Sequence, residues 1–257
     1  MAATVPFEVA SDGASLRGTL HLPDDHISGA QPAVLICRGI PTQSSESGAF
    51  FEALTASLTD AGFVVALYEH RCASLILDDY HEFSPANDVA DLTYITRWLA
   101  ANDHVDRDRL TILGFALGSV PVSMLVSSTD HPPARMVLLN PFTVEAIRSL
   151  AGMQSDSAKQ TEDLPKALLN SLDRISPPRD AAGLTRPTLI LQSAADTVLP
   201  ATSAEEFVTA FKVAGQSPDF IYVARADHRL TNPSVQETCI ACILDFLAPL
   251  LQPVLQT

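Results

Sequence analysis

The sequence predicts an α/β protein built on a doubly wound, mostly parallel sheet, and three observations predict it. Six short runs are continuously apolar and rich in β-formers; segments with helical spacing lie between them; and one run passes through a glycine-flanked turn straight into a helix. Strands buried on both faces need apolar residues at successive positions, not at alternate ones. Regular strand–helix alternation makes such strands parallel neighbours covered by helices on both sides.

Taken in order, FEVAS and LRGTLHLP read as an antiparallel hairpin added at one edge of the sheet. The buried strands are AVLIC (33–37), VVALY (64–68), LTILGF (110–115), RMVLLN (135–140), PTLILQ (187–192) and DFIYV (219–223). Among the helices, FFEALTASLTDAG (50–62) stops at Gly62, and SAEEFVTAFKVAG (203–215) stops at Gly215, a residue type that favours helix ends. NDVADLTYITRWLA (87–100) places Val89, Leu92, Ile95 and Leu99 on one face. Residues 143–183 break the rhythm: they carry no strand signal, are polar with helical character, and end in the loop ISPPRDAAG. An insertion after a strand, at the carboxyl end of a sheet, is where a cap or lid sits. The expected organisation is therefore one α/β domain over 1–257 with 143–183 as a helical cap.

A length of 257 residues is ordinary for one α/β sheet protein. No apolar run approaches the roughly 18 residues that span a bilayer. The start, MAATVPFEVASDG, lacks a basic region followed by an apolar run, so a secretory signal is not expected and the cytoplasm is the default location. A net charge of −14 disfavours nucleic acid and anionic membrane surfaces as partners and suits solubility. Cys239 and Cys242 form a C-x-x-C pair inside an apolar helical segment, with no second pair or histidine cluster nearby, so a core role is favoured over zinc or redox chemistry.

The segment LTILGFALGSVPVSML carries the chemistry. Gly114-Phe115-Ala116-Leu117-Gly118 is G-x-x-x-G between a strand and a helix, the context of a nucleophile elbow. The central residue of such a turn sits in a strained conformation, with glycines beside it because a Cβ would strike neighbouring backbone. The helix start aims free N–H groups at the site and favours developing negative charge.

With that elbow, four other segments resemble the α/β-hydrolase superfamily, in its small esterase, acyl-hydrolase and serine-aminopeptidase-like branch: CRGIP (37–41), LYEHRCASLILDDYHEFSPANDVADL (67–92), SAADTVLP (193–200) and RADHRL (225–230). The resemblance covers nearly the whole chain. It implies a cofactor-free and metal-free acyl hydrolase acting on a small ester or apolar ligand. It implies that Ala116 occupies the nucleophile position, Asp196 is the acid and His228 the base, with backbone N–H groups of Ile40 and Leu117 as the oxyanion hole. Asp196 also suits an ordinary turn after a strand, and His228 a solvated loop. Asp227 is a weaker candidate. The oligomeric state is open, a homodimer included.

Several positions depart from the pattern. Ala116 has no oxygen with which to attack a carbonyl. Arg38 replaces a histidine, Cys72 and Ser74 replace two glycines, Ile76 replaces a serine, and Ser119 stands where glycine is frequent. Three readings remain open at this level. The chain is a serine-to-alanine variant of a working esterase, or a natural relative that binds without hydrolysing, or an acid/base enzyme that uses the Asp196–His228 pair alone. Cys37 closes a buried strand, where a core role outweighs one as a displaced nucleophile.

Overall fold

The computed structural model describes residues 3–24, 29–39, 47–69, 71, 84–129, 131–156 and 164–252. Eight strands form one sheet: β1 (Ala3–Ser11), β2 (Ala14–Leu22), β3 (Gln31–Cys37), β4 (Val64–Tyr68), β5 (Val105–Phe115), β6 (Arg135–Leu139), β7 (Thr188–Ser193) and β8 (Asp219–Val223). Their spatial order is β1-β2-β4-β3-β5-β6-β7-β8. β1 pairs β2, and β2 pairs β4, in antiparallel fashion, while β4 through β8 run parallel. This is the α/β-hydrolase fold. β3 lies between β4 and β5, so the chain leaves it to one side and later returns to the other. Such a reversal opens a crevice at the carboxyl ends of the strands.

Alternate side chains of the central strands feed two cores. Val34, Ile36, Leu113, Val137 and Leu191 face one; Leu35, Cys37, Ile112, Leu138 and Ile190 face the other. Helices α1 (Gly48–Asp60) and α8 (Pro233–Leu247) cover the first face, through Phe50, Leu54, Leu58, Cys239 and Ile243. Helices α2 (Pro85–Ala100), α3 (Ser119–Ser128) and α7 (Thr202–Val213) cover the second, through Leu92, Ile95, Leu125 and Phe207. Each fully buried leucine or phenylalanine contributes about 1.5–3 kcal/mol. Helix starts are set locally. The Ser84 hydroxyl accepts from the Asn87 amide at 3.2 Å, the Asn232 side chain accepts from the Ser234 amide at 3.0 Å, and proline follows each cap.

The stretch 143–183 is helical in its described parts: α4 (Val144–Asp156), α5 (Lys166–Ser171), a 3-10 turn (Leu172–Arg174) and α6 (Pro177–Ala181). These elements divide between the two cores. Ala146, Ile147, Leu164, Leu168 and Leu172 join the core that holds Ala116 and Leu117. Ala181, Ala182 and Leu184 join the opposite one, where α6 packs between α3 and α7. Thus α6 is a body helix, and the segments gathered on the Ala116 side are α4, α5 and the turn after α5.

One sequence expectation needs correction. Helix α8 and the turn after it, Pro233–Leu251, form a 19-residue helical stretch of mean hydropathy 1.5, long and apolar enough to cross a membrane by length and composition. Val235, Cys239, Ile243 and Leu247 on it are buried in the core. Cys239 and Cys242 lie on this helix as free thiols, and burial pushes the Cys239 thiol up to about 12.

Candidate active site

The elbow is built by sterics. Ala116 has φ of 51°, a left-handed conformation that costs a residue with a Cβ about 1–3 kcal/mol. It opens a 3-10 turn, Ala116–Gly118, that leads into α3. A Cβ on Gly114 would lie 2.7 Å from Ser119 Cα, and one on Gly118 would lie 2.4 Å from the Cys37 carbonyl oxygen. Both glycines are therefore demanded by close backbone approach. Gly118→Ala is expected to destabilise the protein by about 3 kcal/mol in urea denaturation. Gly152→Ala, on α4 where an added Cβ would meet no described residue within 4 Å, is expected to cost nothing or to stabilise slightly.

Ser119 is where the sequence departs usefully from glycine. Its hydroxyl is fully buried, donates to the Ala116 carbonyl at 2.6 Å, and accepts from the Phe142 amide at 3.0 Å. The elbow is thereby tied to the loop after β6.

Asp196 and His228 meet. Asp196 Oδ2 lies 2.7 Å from His228 Nδ1, with the aspartate side chain 2% and the histidine 13% exposed. A carboxylate only accepts, so Nδ1 carries the proton and Nε2 is left as the basic nitrogen. The other oxygen, Oδ1, accepts from the amides of Val198 and Leu199, both at 2.8 Å. Asp196 is thus a turn aspartate and a histidine partner at once, and the turn holds it in place. The imidazole sits between two aromatic rings, Phe115 at 6.0 Å and Phe142 at 5.9 Å between centroids. Because Phe115 precedes Ala116, the imidazole stands beside the elbow.

Asp227 points elsewhere. It accepts from the Thr231 amide at 3.0 Å and from the Thr231 hydroxyl. Burial pushes its carboxyl up, but these bonds and the amides of Arg229 and Leu230 outweigh that and hold it below the usual range.

Leu117 and Gly39 adjoin: a Cβ on Gly39 would stand 3.5 Å from both Leu117 N and Ala116 Cβ. The end of β3 therefore lies against the elbow, with Arg38 placed over the Phe51 ring at 5.8 Å. Ile40, Cys72, Ser74 and Ile76 lie outside the described residues. Cys37 is buried, its sulfur 3.3 Å from the Tyr68 hydroxyl.

Sequence reasoning missed Asn140. It is fully buried with φ of 49°. Its Nδ2 donates to the His228 carbonyl at 3.1 Å and to Ser193 Oγ at 3.0 Å, and its Oδ1 accepts from the Ser193 amide at 2.7 Å. One side chain thus joins the end of β6, the end of β7 and the histidine loop. Ser203 Oγ donates to the neighbouring Pro141 carbonyl at 2.5 Å and anchors α7 to the same loop. The available signal was the dipeptide Asn-Pro after a strand, which marks a turn.

Residues 49–253 match the family model described as the prolyl oligopeptidase family. The chain belongs to that family. No curated protein matches it in sequence. Among solved structures, it is similar to the acylaminoacyl peptidase of Pyrococcus horikoshii, at TM-score 0.77 and 15% identity, covering 100% of this chain and 43% of that one. The chain therefore spans less than half the length of that peptidase. Est1E from Butyrivibrio proteoclasticus matches at TM-score 0.73 and 15% identity, over 95% of this chain and 99% of that one. An esterase domain from a Rhodothermus marinus protein matches at TM-score 0.69 and 16% identity, over 94% and 96%. Family membership and these neighbours together make the chain a serine-hydrolase-like scaffold on the α/β-hydrolase fold.

Proposed function

We propose that the crevice is the acyl-binding site of a carboxylic-ester hydrolase scaffold in which Ala116 stops the covalent step. The observation that carries this is the buried Asp196–His228 hydrogen bond, set beside a left-handed elbow residue that has no nucleophilic oxygen. In the serine form, His228 Nε2 takes the hydroxyl proton, Asp196 stabilises the imidazolium, and the Leu117 amide at the helix start holds the oxyanion. The Ile40 amide is its proposed second donor. In the chain as written, the same groups receive a carbonyl ligand but form no acyl-enzyme. No cofactor or metal enters this scheme. Similarity over nearly the whole of this chain and of two esterase structures favours a small ester over a long peptide. The segments α4, α5 and the turn after α5 are proposed as the cap, since their apolar residues share the core of Ala116.

A second reading rests on how completely Asp196 is bonded. A carboxylate so fixed orients His228 as a general base toward water without any nucleophile on the elbow. One assay separates the readings. Short-chain aryl esters and N-acyl-aminoacyl anilides are offered to the chain as written, to His228→Ala, to Ala116→Ser, and to Ala116→Ser with His228→Ala. The leading reading predicts ester turnover in the serine variant alone. Turnover by the chain as written, abolished by His228→Ala, would establish the second.

A further inference from the structure

At the opposite end of the sheet from Ala116, a cleft of about 570 Å³ opens where β5, β6 and β7 begin. Leu110 in β5, Ala134 just before β6 and Arg186 just before β7 line it. The five residues of β5 that pair with β6, Thr111 to Phe115, separate it from the elbow by roughly 16 Å of strand. It is therefore distinct from the crevice described above.

Its charge runs against that of the chain. The protein carries −14, yet among the described residues three arginines, Arg97, Arg107 and Arg186, line this cleft with His131 and one acid, Asp108. Arg107 meets Asp108 loosely at 3.8 Å, both well exposed. Arg97 and Arg186 make no ion pair among the described residues. Arg97 also complements the carboxyl end of α2, but Arg107 comes from β5 and Arg186 from the turn before β7, so no single helix explains the cluster.

A second observation points to a ligand. Thr96 lines the same cleft, is only 4% exposed, and its hydroxyl has no partner among the described residues. Thr93 and Thr59 spend that hydroxyl on the carbonyl one turn back, of Val89 and Thr55, each at 2.7 Å, whereas the buried hydroxyls of Thr55 and Thr111, which do not line this cleft, also lack a partner among the described residues. Leaving a buried hydroxyl unpaired costs about 1–3 kcal/mol, which a bound acceptor would recover.

We propose that this cleft binds a small organic anion through its phosphate or carboxylate group. The guanidinium groups of Arg97 and Arg186 engage the anionic oxygens, Thr96 donates its hydroxyl to one of them, and the apolar lining at Ala100, Leu110 and Pro132 takes the ligand's body. Guanidinium forks match both oxyanions, and the volume suits a small molecule.

The test is an amide-resolved NMR titration of the full chain at constant ionic strength. Phenyl phosphate and benzoate are the anionic probes, and benzamide is the neutral control. One or both anions should shift the amides of 96–101, Leu110 and Ala134 saturably, and benzamide should not. The stronger of the two identifies the phosphorylated or the carboxylated source. Arg97→Gln with Arg186→Gln should weaken binding at least about tenfold, and Thr96→Val about fivefold, with the remaining amide spectrum unchanged. Shifts equal to those from added chloride, or binding indifferent to these substitutions, would overturn the proposal.

Discussion

Ala116→Ser is expected to raise the hydrolysis of a short-chain aryl ester by about a thousandfold or more over the chain as written. The size follows from what a nucleophile contributes to a triad, on the order of 10⁶ in rate, against what positioning and oxyanion donors supply without it. Ala116 is 7% exposed, so its side chain at the edge of the core keeps a small opening to solvent. The backbone already holds φ of 51° at that position, so the strain of the elbow is present before the substitution. His228 is fixed by Asp196 and flanked by Phe115 and Phe142, which leaves its Nε2 little freedom to miss the hydroxyl. Adding His228→Ala should remove the gain. Steady-state rates for the three proteins, with folding checked by circular dichroism, measure it.

The second large effect is on stability. Asp91 is fully buried on α2 and receives two hydrogen bonds from Arg71, one of them from Nε at 2.9 Å, and one from Ser11 Oγ at 2.7 Å. Arg71 belongs to the segment that leaves β4, and Ser11 ends β1, so one carboxylate fastens three separate parts of the chain. Arg71→Ala strands that charge away from water and is expected to cost about 3–5 kcal/mol. Urea denaturation should show the midpoint fall at an unchanged slope. Adding Asp91→Asn to the Arg71→Ala variant should recover part of the loss, because the unpaired charge is then gone. Arg71→Lys should rescue incompletely, since an ammonium lacks the two-pronged geometry.

The central strands were legible because both their faces are buried, which writes apolar residues at every position. β5 shows the limit of that signal. Its first residues, VDRDR, are polar and pair only at Gln31 and Val105, so periodicity could not reveal them. Helix α6 was hidden for a different reason. PPRDA has no helical period, and its buried residues are only Pro177 and the small Ala181. The apolar length of α8 was understated because single polar residues interrupt a run that folds as one helix.

The site divided the same way. Asp196 and His228 follow strands and belong to recognisable loops, so their proximity was foreseeable. Asn140 and the Arg71–Asp91 pair were not, because each acts between segments far apart in sequence, and only packing brings those segments together. Ser119 read as an eroded glycine. Its hydroxyl instead bridges the Ala116 carbonyl and the Phe142 amide, a role that a residue-by-residue comparison cannot express.

Covalent labelling tests most directly the proposal that position 116 lacks only its oxygen. An activated serine hydroxyl attacks the phosphorus of an aryl fluorophosphonate, passing its proton to the histidine and expelling fluoride, and the one phosphonyl group it keeps is located by intact-protein and peptide mass spectrometry. The account predicts no adduct on the chain as written, one adduct at position 116 in Ala116→Ser, and its loss when His228→Ala is added. An adduct on the chain as written that requires His228, or a serine variant that stays unlabelled while fully folded, would contradict it.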